Sequence, residues 1–242
     1  MLKSKIKYIQ TLGQKKFRES EGFFIAEGPK IVADLVATVP ASVREIYAVE
    51  SWVNENGDRA GAAMVTTIEE WELEKISHLA TPNQVLAVVQ QFNNTPEITA
   101  KGKITLALDT IQDPGNFGTI LRIADWFGVT QVVCSEACAD RYHPKVVQST
   151  MGSIARVDVL YTSLSDWLTA QDTRIFLATL EGVDVRSIGP VKEGIIVIGN
   201  ESKGVSREVS GTGGEKITIL RKGQVESLNA AVATGILLSH LT

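Results

Sequence analysis

From residue 103 onward, short apolar runs alternate with stretches whose apolar residues recur at helical spacing. The runs at 104–108, 131–134, 157–161, 175–180, 195–198 and 217–220 predict strands. Strands this apolar are buried on both faces, as in a mostly parallel sheet covered by helices. Between and after them the spacing predicts helices over 116–127, 144–154, 164–170 and 227–240. In the first of these, Ile120, Leu121, Ile123, Ala124 and Phe127 form the buried stripe. The last is apolar almost throughout and carries Ala230, Ala231, Ala233 and Gly235. Small residues at that spacing suit either a subunit interface or tight packing inside the fold.

Residues 1–95 read as a smaller α/β unit. The pattern predicts a helix over 3–14, a strand over 22–27, a helix over 29–37 opened by Pro29, and strands near 45–49 and 85–90. The polar stretch 92–102, with Pro96 and Gly102, reads as a connection, its linker at 96–102. The fold class is therefore α/β, with a small N-terminal unit and a C-terminal, mostly parallel sheet with helices on both faces over 103–242. Internal repeats and low-complexity tracts are absent from the sequence.

Composition narrows the setting. An apolar fraction of 44% in 242 residues supports a proper core. No run approaches the roughly 18 apolar residues of a membrane span, and the first residues lack a signal-peptide core, so a cytoplasmic protein is expected. Cys134 and Cys138 lie four apart with no His or Cys cluster nearby. They read as reduced thiols rather than metal ligands, and no metal is expected. The net charge of −4 is unevenly spread: residues 1–30 hold seven basic and three acidic side chains, +4, leaving −8 elsewhere. Lys3, Lys5, Lys7, Lys15, Lys16, Arg18 and Lys30 form either a phosphate-contacting arm or a solvated helix face.

Three polar segments interrupt the apolar pattern where strands end or helices begin, the places where open α/β sheets bind ligands. They are Asp113-Pro114-Gly115-Asn116-Phe117-Gly118 with Arg122, Gly199-Asn200-Glu201-Ser202-Lys203-Gly204, and Glu226-Ser227-Leu228-Asn229. Each has a simpler structural use. Asn116 and Ser227 suit helix N-caps. Arg122, in an apolar helix, wants a carboxylate or phosphate partner; Asp109, Asp125 or Glu201 would serve as well as a ligand. Neither a phosphate-binding P-loop nor a dinucleotide-binding glycine fingerprint is present.

The ordered triplet resembles the SpoU (TrmH-type) family of RNA ribose methyltransferases. The matching residues are Asp109, Asp113, Pro114, Asn116, Gly118 and Arg122, then 198–204, then Ile219 with Ser227-Leu228-Asn229-Ala230. Met151-Gly152-Ser153 adds to the likeness. Phe24-Ile25-Ala26-Glu27-Gly28 is similar to the family's accessory substrate-binding domain. The resemblance implies a deep trefoil knot in a C-terminal methyltransferase domain, S-adenosylmethionine as cofactor, an RNA substrate (rRNA rather than tRNA) bound by the N-terminal domain, and a homodimer. It also implies that Asn116, Arg122, Glu201, Ser227 and Asn229 form the catalytic end, and that backbone at Thr179, Gly199, Ile219 and Leu228 holds the cofactor. Two departures stand out: Leu220-Arg221 where the family usually has Pro-Met, and Asp158 where an apolar residue or proline is usual. A non-catalytic RNA binder of the same fold and a base methyltransferase are the alternatives.

Overall fold

The elements in chain order are α1 (Lys3–Thr11), α2 (Lys15–Glu21), β1 (Phe23–Glu27), α3 (Pro29–Thr38), β2 (Val43–Ala48), α4 (Glu50–Asn56), β3 (Met64–Thr67), α5 (Glu70–Ile76) and β4 (Val85–Gln90). There follow β5 (Ile104–Leu108), α6 (Pro114–Trp126), β6 (Gln131–Ser135), α7 (Pro144–Thr150), β7 (Asp158–Thr162), α8 (Leu164–Thr169), β8 (Ile175–Asp184), β9 (Gly194–Ile198), α9 (Arg207–Ser210), β10 (Glu215–Thr218) and α10 (Ala230–Leu241). This computed structural model describes residues 1–92 and 97–242. Pro96, the first residue of the expected linker, lies outside them. The chain divides into two units, residues 1–94 with 140–155, and residues 95–139 with 156–242.

The first unit is built on a four-stranded sheet in the order β1-β4-β2-β3, with β4 antiparallel to both neighbours and β2 parallel to β3. The predicted helix over 3–14 ends at Thr11, and a second helix, α2, follows from Lys15. Arg18 explains the break: its guanidinium donates to the carbonyls of Leu12 (2.9 Å) and Gly13 (2.8 Å) and pairs with Asp140 at 2.6 Å. Arg18 is therefore a buried structural cation, 1% exposed, and drops out of the basic arm; Lys3, Lys7, Lys16 and Lys30 remain exposed, as does Lys15, which pairs with Glu19. The segment around α7 contributes Tyr142, Val147 and Ile154 to this unit's core, where the Tyr142 ring lies 4.8 Å from that of Phe24. The predicted helix over 144–154 stops at Thr150 because Met151 (φ 50°) and Gly152 (φ 99°) turn left-handed. Gly152 is required there, since a Cβ would overlap the Asp34 carboxylate.

The second unit is a six-stranded sheet, β10-β8-β9-β5-β6-β7, with every pair parallel. Ala107, Val133, Leu177, Ile195 and Val197 cluster with Leu164 and Leu168 of α8, Val209 of α9, and Ile98 and Ala100 from the stretch before β5. Alternate residues such as Leu106, Leu108 and Ile196 are equally buried, so both faces are covered, and α10 packs on α6. A Cβ on Gly235 would stand 3.8 Å from Ile123, an ordinary contact, so glycine is not demanded at that position. β8 runs past the predicted residue 180 to Asp184 because the pairing with β10 shifts register between Lys216 and Ile217. A Cβ on Gly182 would overlap the Lys216 backbone there. No helix among the described residues is long and apolar enough to cross a membrane.

Candidate active site

Parallel strands end together, and here β5, β9 and β10 deliver their C-terminal loops to one edge of the sheet. Asp113, not Asn116, caps α6: its carboxylate accepts the Asn116 backbone N–H at 2.8 Å. The cap expected of Asn116 is thus supplied three residues earlier, and the Asn116 side chain is released. Its Nδ2 donates to Glu201 Oε1 at 2.6 Å, and its Oδ1 accepts from Asn229 Nδ2 at 2.8 Å. Only the amide nitrogen can face a carboxylate acceptor, so these bonds fix which way the Asn116 amide points.

Asn229, not Ser227, caps α10, its Oδ1 accepting from Ala231 (3.0 Å) and Val232 (3.3 Å). The helix predicted from residue 227 therefore starts at Ala230. Ser227 is exposed and stands outside the hydrogen-bonded set of Asn116, Glu201 and Asn229. Glu201 is half-buried and meets Asn116 through Oε1. Arg122 lies on α6, exposed. Its expected carboxylate partners are engaged elsewhere. Asp125 pairs with Arg156 at 2.8 Å. Asp109, 3% exposed, accepts the Ser206 N–H at 2.7 Å. Glu201 is taken by Asn116. A guanidinium left at the surface of an apolar helix, close in sequence to that amide, is a ready anion grip.

Of the residues expected at the cofactor end, Thr179 lies in β8 and Gly199 directly follows β9; Ile219 directly follows β10, and Leu228 precedes the α10 cap. The pairing of Leu177 with Val197 brings Thr179 level with Gly199. Thr179 is half-buried and its hydroxyl donates to the Glu181 carbonyl at 2.7 Å. A side chain at Gly199 would overlap the Gly204 and Val205 backbone, so this glycine closes the loop that carries Glu201. Leu180, Leu220 and Leu228 are 75%, 52% and 42% exposed. The departure at Leu220-Arg221 has a local outcome: Arg221 Nη1 donates to the Val225 carbonyl at 3.1 Å and closes its own loop. Asp158 is exposed at the start of the edge strand β7.

Two further motif residues, outside the expected catalytic and cofactor-binding sets, hold the loops in place. Asn200 donates from Nδ2 to the Thr110 carbonyl at 2.9 Å and accepts on Oδ1 from the N–H groups of Ser202 and Lys203. Asp109 ties the end of β5 to Ser206. A Gly-Asn pair after a strand is a turn signal that points to such side chain-to-backbone bonding; nothing in the sequence marks its distant partner.

This arrangement defines an α/β ligand-binding domain with polar side chains gathered at the C-terminal edge of a parallel sheet. Residues 103–239 match the SpoU rRNA Methylase family, and residues 3–87 match an MRM3-like substrate binding domain. The chain belongs to the SpoU family. It is 30% identical to the 23S rRNA (guanosine(2553)-2'-O)-methyltransferase RlmP of Bacillus subtilis, over 98% of this chain and 95% of that one. Among solved structures it resembles one assigned to the TrmH family of RNA methyltransferases from Porphyromonas gingivalis (TM-score 0.86, 35% identity, 99% of this chain and 97% of that one). It also resembles an AdoMet-bound rRNA methyltransferase from Sinorhizobium meliloti (TM-score 0.85, 29% identity, 98% and 93%).

Proposed function

We propose that this protein transfers a methyl group from S-adenosylmethionine to a ribose 2'-hydroxyl of rRNA. The observation that carries the reading is the hydrogen-bonded chain from Glu201 through Asn116 to Asn229, which joins the loop after β9 to the starts of α6 and α10. The cofactor supplies a methyl group already activated on a sulfonium, so the protein's task is to aim the hydroxyl and ease its deprotonation. Backbone at Thr179, Gly199, Ile219 and Leu228 would hold it, among the exposed leucines. The hydroxyl donates to Glu201 Oε2, and the locked Asn116 amide keeps that carboxylate in place. Arg122 grips an adjacent RNA phosphate bidentately, and its charge lowers the cost of the developing alkoxide. Arginine itself rarely deprotonates, so it acts as a grip and not as a base. Ser227, exposed beside Leu228, contributes once substrate is bound.

In this reading residues 1–95 present the RNA through their exposed lysines, 96–102 link, and 103–242 carry out transfer, with the knot that the family resemblance implies. The protein works in the cytoplasm as a homodimer. Exposed Val225, Leu228 and Val232 flank Asn229, and covering them with a second copy would shield the site from water. The test is incubation with labelled S-adenosylmethionine and total RNA from a deletion strain, followed by nucleotide mapping. Alkali-resistant label in rRNA is expected. Label in neither rRNA nor tRNA would overturn the reading, and label on a base would replace it with base methylation.

A further inference from the structure

The start of α6, which carries Asn116, and the loop that carries Glu201 both hang on residues 108–111, and most polar groups of that segment are bonded to something outside it. The Asp109 N–H donates to the Ile198 carbonyl (2.9 Å) and the Ala139 N–H donates to the Ile111 carbonyl (2.9 Å). The Thr110 N–H donates to Ser135 Oγ at 2.9 Å, and the Thr110 carbonyl accepts from Asn200 Nδ2 at 2.9 Å. Two further groups of the segment, the Leu108 carbonyl and the Ile111 N–H, are those that would close a four-residue turn on each other. Instead one thiol stands between them. Cys138 Sγ accepts from the Ile111 N–H at 3.3 Å and donates to the Leu108 carbonyl at 3.2 Å. Thr110, third in this turn, has φ 61°. Glycine or asparagine takes that conformation readily, whereas a β-branched residue adopts it only when its surroundings impose it.

We propose that Cys138 is a positioning residue for methyl transfer: its thiol bridges the open turn at 108–111, holds Thr110 left-handed, and so sets where α6 begins and where Asn116 meets Glu201. The proposal rests on the reading of Asn116 and Glu201 as catalytic. A thiol suits the bridge because it both donates and accepts and its hydrogen bonds are long, so it spans two backbone groups without closing the turn. Ser135 supports the same turn from β6, and Asn200 supports it from the loop that carries Glu201. The turn that the thiol braces thus leads into α6 on one side and is held through Asn200 to the Glu201 loop on the other.

The experiment compares Cys138→Ala, Cys138→Ser, the double variant Thr110→Gly/Cys138→Ala, and Asn116→Ala as a control. Steady-state kcat, KM for S-adenosylmethionine and KM for RNA are read together with thermal unfolding. Misplacement of a reacting group by about 1 Å costs on the order of 100-fold, so Cys138→Ala is expected to lower kcat about 10- to 100-fold with both KM values little changed. Serine, which keeps donor and acceptor, restores most of kcat. Glycine at 110 removes the strain the thiol opposes and recovers kcat in the alanine background, even if that single variant unfolds. Wild-type kcat in Cys138→Ala with Asn116→Ala inactive would overturn the positioning role and leave the active-site reading intact. Serine or the double variant as slow as alanine would overturn it too. An active Asn116→Ala instead removes the reading on which it rests.

Discussion

At the scale of single residues the candidate site is a matter of which polar atom has which partner. Asn116 spends both ends of its amide, one on Glu201 and one on Asn229. Asn116→Asp would set two carboxylates face to face, since its new oxygen meets Glu201. It should cut kcat at least about 100-fold at neutral pH, measured by label transfer, with less loss on acidification. Glu201→Gln keeps the shape and can still accept from Asn116 Nδ2 through its carbonyl oxygen, but turns an NH2 toward the hydroxyl in place of Oε2. A comparable fall in kcat with cofactor affinity preserved in calorimetry is expected; unchanged turnover would exclude Glu201 from catalysis. His143 gives a stability prediction. Burial, and then the Arg18 guanidinium, hold its imidazole below the ordinary value of 6.5, and in the neutral form Nδ1 accepts the Lys145 N–H at 3.1 Å at the start of α7. Below 6.5 the unfolded chain binds the proton more readily than the folded one. His143 should therefore cost nothing above that pH and destabilise the fold as pH falls through 6.5 toward its folded value. His143→Asn, which keeps an acceptor, should flatten the fall of the unfolding midpoint between about pH 7 and 5.

At the scale of elements, caps decide where the site residues stand. α6 begins earlier than the apolar pattern alone predicts because Pro114 and the Asp113 cap start it, and that shift frees Asn116. Asp113→Ala should cost about 1 kcal/mol in denaturant unfolding and lower kcat as well, because an uncapped Asn116 can fold back onto its own helix end. Asp140→Ala acts elsewhere. It would leave the Arg18 guanidinium buried with only carbonyl partners, a loss on the order of 3 kcal/mol. Equilibrium unfolding that moved by less than about 1 kcal/mol would show that the two carbonyls suffice.

At the scale of the molecule, charge is divided by region. Lys3, Lys7, Lys16 and Lys30 are exposed on the first unit, whereas residues 31–242 are acidic on balance. Reversing these four to glutamate should weaken RNA binding and flatten its salt dependence, by about 0.7–0.9 in the log–log slope for each phosphate no longer neutralised. Cofactor binding should not change. An unchanged slope would place the RNA surface elsewhere. Homodimerisation is checked by light scattering; Val232→Glu, on the exposed face of α10 next to Asn229, should shift the protein to monomer and depress turnover together.

The apolar periodicity alone dictated that a parallel, doubly covered sheet would form and placed most strands within two or three residues, because burial on both faces leaves an unbroken apolar run. The ordered polar segments at strand ends carried the family resemblance and hence the reaction proposed. The remaining features exist only in the folded chain. Whether Asn116 caps a helix or reaches a carboxylate depends on Asp113 and on Glu201, 85 residues away. Whether Arg18 meets RNA or a carbonyl pair depends on the break at Leu12. β8 outruns its apolar stretch because a register shift, which only pairing with β10 creates, carries it on. The thiol in the turn at 108–111 left no mark on the hydrophobic pattern. Its partners lie 27 and 30 residues distant, and a hydrogen bond across a fold exists only once packing has brought its two ends together.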